Sequence, residues 1–412
     1  AYNYQNRYML ESNVRYDGSY VFSEGNRWGF FPSFSLGWNI HNEKFWAVPQ
    51  DYITSLKIRA SWGQLGNQNI SPYTDLALMP INTGKLGWIF QPGGSRPIGY
   101  TNAPGIINQN LTWETSTTTN IGTNIGLFNN KLLVDFDLFE RLTTDMVGPS
   151  APKPGVLGAS VPNSNNATLR TRGWELNLNW RQSISKDLSY FINANISDYK
   201  SIVTEYYNPN NTLSTWYEGK AVGEIWGYTV NDLFRSQAEV DSYLSKVNPT
   251  FISTNWRPGD IRFEDINGDG KINNGDNTVD NPGDLSIIGN SSPRYEFGIN
   301  IGATYKNFDF ATLWKGVGKR DYYFNQNAVM YWGVMRAWWD SNIDKNGPYL
   351  DYFRDEPGTK YYGLYEGEAN INTDAFYPKP YLNYSEDVKN RGYAKIPCKC
   401  RLHKIAECSA WV

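Results

Sequence analysis

Three features of this sequence predict an all-β fold, an antiparallel β-barrel that crosses a membrane. Apolar and polar side chains alternate with period two along one segment after another. The segments run to about ten residues, enough to span a bilayer when tilted. The connections between them alternate short and long, as they do when one end of a barrel carries tight turns and the other carries extended loops.

Taken in order, the first strand is read in YMLESNVRYD (8–17), where Tyr8, Leu10, Val14 and Tyr16 alternate with Glu11, Asn13, Arg15 and Asp17. In PSFSLGWNI (32–40), Phe34, Leu36, Trp38 and Ile40 oppose Ser33, Ser35, Gly37 and Asn39. In LKIRASWG (56–63), Leu56, Ile58, Ala60 and Trp62 oppose Lys57, Arg59, Ser61 and Gly63. The pattern returns at 119–127, 132–140, 174–181, 190–197, 295–305 and 308–315, giving about nine strands. Short turns are expected at 128–131, 183–186 and 306–307, interleaved with long loops at 66–114, 144–167, 198–293 and from 318 onward. A soluble sandwich would alternate in the same way. Its strands, however, are typically about 5–6 residues long, and its connections do not sort by side.

Composition narrows the function. The formal net charge of -3 offers no basic excess for nucleic acid. Mean hydropathy is -0.56, and no apolar run is long enough for a helical span, a test that alternating barrel strands pass unseen. Aromatic residues reach 16%, led by 29 Tyr and 16 Trp, which suits a membrane interface or ligand stacking. With two His in the chain, a His-based catalytic or zinc centre is not expected. No nucleophile elbow, zincin helix or phosphate-binding Gly loop is present, and acid pairs such as Asp351 and Asp355 read as solvated loop residues, so no enzyme activity is expected.

FEDINGDGKINNGD (263–276) carries the spacing of a calcium-binding loop. Asp265, Asn267 and Asp269 supply alternate oxygens, Gly270 permits the sharp turn, and the main-chain carbonyl of Lys271 falls at the seventh position. Asn273 contributes at the ninth and Asp276 closes the shell. The same run of Asn, Asp and Gly also makes Asx turns without an ion. Its flanks show no helical periodicity, so the expected role of calcium is structural, stiffening a long loop. In that loop Trp216, Tyr217, Trp226 and Tyr228, and in the last one Trp332, Trp338, Trp339, Tyr361 and Tyr362, are the candidates for stacking on a sugar.

Several stretches, in order along the chain, resemble one family. They are RWGFFPSFSLGWNI (27–40), LKIRASWGQLGNQNI (56–70), RGWELNLNW (172–180), GEIWGY (223–228), PGDIRFEDINGDGKI (258–272) and IGNSSPRYEFGINIGATYKNFDF (288–310). The sequence is similar to SusC/RagA-type TonB-dependent outer-membrane transporters of Bacteroidetes-like bacteria. The resemblance implies the C-terminal part, over 1–397, of a large plugged barrel that imports oligosaccharides or peptides. It also implies a SusD-like surface lipoprotein as partner and energy from the TonB–ExbB–ExbD complex, which would act through an N-terminal part not included in this fragment. The second function considered is a secreted, calcium-dependent carbohydrate-binding β-protein. Residues 398–412, CKCRLHKIAECSAWV, hold all three Cys and no alternation, and are expected to be an atypical, frameshifted tail. Half of a metal site at Cys398, Cys400 and His403 is the alternative reading there.

Overall fold

The computed structural model describes residues 1–68, 70–71, 76–79, 81–82, 100–101, 104–321, 351–359, 362–375, 378–379 and 405–411. Its frame is one eleven-stranded sheet in which every strand pairs antiparallel with its neighbour in the chain. The strands are β1 (Tyr2–Tyr4), β2 (Tyr8–Gly18), β3 (Trp28–Asn39), β4 (Ile53–Asn67), β5 (Glu114–Leu127) and β6 (Leu132–Gly148). They continue as β7 (Ser164–Ser183), β8 (Leu188–Glu205), β9 (Arg294–Tyr305), β10 (Phe308–Lys319) and β11 (Ile405–Trp411). The order runs from β1 to β11 without crossover, and the two end strands do not pair with each other, so the sheet is not closed. The expected meander is therefore present. β11 falls inside the stretch read as an atypical tail, and pairs antiparallel with β10.

The register puts like with like. Ile192 faces Ile301, Ala194 faces Ile299 and Ile196 faces Phe297 on one face of the sheet, while Asn193 faces Asn300 on the other. The apolar face is left uncovered: Leu10, Leu36, Ile58, Ile121 and Leu138 are all exposed, Leu36 and Ile121 to 58%. An apolar surface of this extent marks a membrane or a partner. Aromatic pairs bound it. Tyr8 stacks on Trp38 with ring centroids 6.5 Å apart, and Tyr16 on Trp28 at 5.0 Å. Tyr8 and Tyr16 lie on one strand eight residues apart, about 27 Å at strand rise, or about 20 Å in height at a barrel strand's tilt, which is most of a barrel's lipid-facing band. Tyr8 Oη and Trp38 Nε1 both donate to Glu43, so their polar tips point to the turn end.

Strands β4 to β8 are longer than the alternation suggests, from 14 residues in β5 to 20 in β7. Their upper ends carry Thr115, Thr117, Thr143, Thr171, Ser201 and Thr204, on both faces. Cross-strand bonds such as Thr171 Oγ1 with Ser201 Oγ (2.7 Å) hold them. Once both faces meet water, no pattern of period two is required, and the strand continues unmarked. The loops expected at 144–167 and 198–293 are correspondingly shorter. Over the upper end of β3, Phe31 packs with Val21, Phe22, Leu111 and Trp113 in a small core that pins the 19–27 connection and the segment before β5.

Candidate functional site

Between β8 and β9 the chain leaves the sheet and folds as a module of its own. Tyr228, Leu233, Phe234, Val240, Trp256, Ile261, Phe263 and Ile272 form its core, joined by Phe353 and Ala375 from the later segment. Two small antiparallel pairs build it: Glu224–Tyr228 with Leu285–Asn290, and Val230–Leu233 with Ile261–Phe263. A two-turn helix, α1 (Gln237–Leu244), covers one side. Ser236 caps its start by accepting from the Glu239 amide, and Glu239 reaches back to the Arg235 amide. The sequence reading expected no helix near the calcium-type loop. α1 is too short to display a face, and Val240 is its only buried residue.

The 265–276 loop is wound by its own side chains. Asp265 accepts from the amides of Gly268 and Gly270, both at 2.8 Å. Asn267 accepts from the Asp269 amide (3.0 Å) and Asp269 from the Lys271 amide (2.8 Å). Gly268 and Gly270 take φ of 74° and 75°, a conformation that side-chain-bearing residues rarely adopt. Ile272 is fully buried in the module core, and Asn248 clips the loop from below by exchanging main-chain bonds with Gly270 and Ile272.

Asp276 and Asp284 meet the loop in different ways. Asp276 is exposed and accepts from the Asn281 side chain (2.8 Å) within its own turn. Asp284, eight positions further on, is fully buried and spans the loop: one oxygen accepts from the Ile266 amide and the other from the Asn273 amide, both at 2.9 Å. Asn273 accepts from the Gly275 amide (2.7 Å). An all-oxygen donor set of this kind suits a hard cation. Among the described residues no three His, Cys, Asp or Glu side chains converge, so amide and main-chain oxygens would have to complete any shell.

The aromatic candidates separate. Tyr228 is buried, with its ring edge-on to Phe263 at 5.4 Å, and has no free face for a sugar. Tyr217 is buried as well: its hydroxyl donates to Glu224 and receives the Trp226 indole N–H, and Lys220 lies over its ring at 5.1 Å. Burial and the Glu224 carboxylate push the Tyr217 hydroxyl up to about 12. Burial lowers the Lys220 ammonium, which is held by the carbonyls of Leu213 and Thr215. Trp216, tilted on Tyr206, and Trp226 remain half-exposed. Trp332, Trp338, Trp339 and Tyr361 lie outside the described residues, as do Cys398, Cys400, His403 and the side chain of Tyr362. Asp351 accepts from Asn372 and Asp355 pairs with Lys379, so both acids have structural partners.

A tall antiparallel wall with an apolar outer face, short turns at one end and a folded module at the other defines a membrane-barrel receptor. The chain belongs to the TonB dependent receptor-like, beta-barrel family, whose description matches residues 1–244. Members of that family are outer-membrane proteins, and the family is one of receptors and transporters, not enzymes. TonB-dependent receptor SusC of Bacteroides thetaiotaomicron is 27% identical over 383 residues, covering 91% of this chain and 33% of SusC. TonB-dependent receptor P3 of Formosa agariphila is 29% identical over 321 residues, covering 75% of this chain and 30% of that receptor. In fold the chain is similar to the RagAB peptide transporter structure, with a TM-score of 0.59 and 19% identity over 79% of this chain and 33% of that one. The chain thus spans about a third of the length of the curated relatives it matches.

Proposed function

We propose that this chain forms part of the wall of an outer-membrane importer of oligosaccharides. The importer is energised through the TonB–ExbB–ExbD complex and works with a SusD-like surface lipoprotein. One observation carries the reading: an antiparallel wall with an uncovered apolar face and a folded upper module, in a chain that aligns with SusC over 91% of its length. The strands carry the wall through lipid, and the module with the other long connections receives substrate and lipoprotein above it. Deleting the gene should abolish uptake of one oligosaccharide class, and a surface lipoprotein should co-purify with the tagged receptor. Uptake of peptides alone in the parent strain would replace the substrate named here.

The 265–276 loop is proposed as a structural calcium site. Its ligands would come from Asp265, Asn267, Asp269, Asn273 and the Lys271 carbonyl, with Asp276 as the acid expected from the spacing and Asp284 as the acid bonded across the loop. Bound calcium would compensate the carboxylates and cross-link the loop. The module's residues already supply the winding, through the Asx bonds to Gly268, Gly270 and Lys271. Terbium luminescence of the parent against Asp265→Ala tests this, and equal binding by the two refutes the site.

A further inference from the structure

The end of the sheet that carries the short turns repeats one pairing, a lysine with an exposed apolar side chain. Lys44 stands beside Phe45 between β3 and β4, and Lys131 closes the β5–β6 turn by donating its amide to the Phe128 carbonyl. Lys186 follows Ile184 between β7 and β8, and Lys306 follows Tyr305 at the β9–β10 turn. All four lysines are exposed, and so are their apolar neighbours, Phe45 to 66% and Ile184 to 62%. None of the four makes an ion pair among the described residues. Of the acids in the same turns, Glu43 is taken up by Tyr8 and Trp38 and Asp51 by Asn129, which leaves Asp187.

The rings show which way this rim faces. Phe45 meets Trp38 edge-on with centroids 6.5 Å apart, and Phe128 meets Trp180 in the same manner at 6.5 Å. Trp38 shares a sheet face with Leu36, and Trp180 with Leu178, each two residues away along its strand. Tyr305 shares its face with Ile301, and the Lys306 ammonium lies over the Tyr305 ring at 5.5 Å. The turns therefore fold their apolar side chains onto the uncovered outer face, and the Lys306 head goes with them. At the same level Trp180 Nε1 donates to Tyr190 Oη (3.0 Å), which donates to Gln182 (3.1 Å). Rings with satisfied polar tips at the edge of an apolar band mark a lipid–water boundary.

We propose that this rim binds the phosphate groups of anionic phospholipids. Short turns of an outer-membrane barrel face the periplasm, so the lipid is that of the inner leaflet. The apolar face ends at the rim, which sets the turn side chains against the top of the acyl layer and the lysine heads among the phosphates. A compact ammonium with no acid partner gains most from a headgroup that keeps a net negative charge. Successive turns lie two strands apart, roughly 10 Å, so the lysines are spaced for separate headgroups and not for one multivalent ligand.

The full-length receptor tests this in lipid nanodiscs, where both faces are open, made of phosphatidylcholine with or without phosphatidylglycerol. Its lysines are acylated and located by mass spectrometry. Phosphatidylglycerol should slow labelling of Lys44, Lys131, Lys186 and Lys306 by about fivefold each, the factor for one lysine at an anionic surface. Lys153, exposed in the β6–β7 loop at the opposite end, should label at one rate in both lipids. Salt at about 1 M, where the Debye length is about 3 Å, should restore most of the rate. Equal rates at the four turns in the two lipids overturn the proposal. So does equal slowing of Lys153, which reports bulk surface charge, or slowing by inorganic phosphate alone, which reports a free-anion site. A variant carrying Lys44→Gln, Lys131→Gln, Lys186→Gln and Lys306→Gln together, with folding checked by far-ultraviolet dichroism, gives a second readout. Spin-labelled phosphatidylglycerol should associate with the parent in preference to spin-labelled phosphatidylcholine. That preference should fall in the Gln variant and return with Arg at the same positions. A preference that the Gln variant keeps in full places the anionic lipid elsewhere on the wall, and the rim fails.

Discussion

Tyr217 shows how a residue's surroundings redirect its chemistry. Its ring looks like a sugar platform in the sequence, yet Glu224, Trp226 and Lys220 occupy its edge, tip and face. A hydroxyl whose folded pKa lies near 12, above the unfolded value near 10, binds its proton more tightly in the folded state. The stability it contributes is therefore complete below pH 10 and is lost as pH rises from 10 toward about 12. Tyr217→Phe should remove that alkaline step from the module's unfolding profile, and tyrosinate difference absorbance should report its loss. Gly122 makes a second residue-scale prediction. Gly122→Val places atoms between Arg59 and the Asp137 carboxylate to which it donates, at a cost of about 1–3 kcal/mol for forcing bulk into a packed site. The midpoint of thermal unfolding in detergent should fall accordingly; an unchanged midpoint would mean the pair contributes nothing. The Arg59 pairing was not legible in the sequence because its partners lie 65 and 78 residues away, and the Tyr217 cluster, although local, depends on how residues 217–226 fold back on one another.

At the scale of elements, the alternation in β2, β3 and β4 was readable because each has one face against an apolar medium. Their polar upper ends were not, since Thr and Ser on both faces carry no period. α1 was missed for a related reason. It is two turns long and buries one residue, although Ser236 and Glu239 do stand at capping-box spacing. The calcium-type loop was legible up to Asn273, where ligand spacing and glycines follow from local geometry. The carboxylate that bonds across it, Asp284, was not, because residues 276–283 form an extra turn that returns the chain to the loop. Asp284→Ala would strip two buried amides, those of Ile266 and Asn273, of their acceptor, at about 2–6 kcal/mol in total. Hydrogen exchange at those two amides should rise by several powers of ten, and Asp276→Ala should leave both nearly unchanged. The reverse ranking would make Asp276 the acid that holds the loop.

For the whole molecule, the direction of the apolar face decides the environment. In water, an exposed Leu138 tolerates replacement within about 0.5 kcal/mol. In a lipid-facing wall, Leu138→Arg should cost about 2–4 kcal/mol if it lies near the midplane, and Ser61→Arg on the polar face far less. Denaturant titration in lipid vesicles measures both, and equal small costs would contradict a membrane wall. Sequence reading reached this architecture because lipid imposes the same demand on every strand. It could not reach the ligand, since the polar face of the wall and the module core are assembled from distant segments. The module also bears on how such receptors diversify. It leaves from Glu205 and returns at Arg294, on strands that are direct neighbours in the sheet. Arg294 stands level with Tyr199, and above it residues 219–222 of the module take over the edge of β8 by bonding Ser201 and Val203. Replacing one module by another that keeps this short edge pairing leaves the β8–β9 register below it untouched, so a lineage can exchange its outward-facing surface without having to reinvent its barrel.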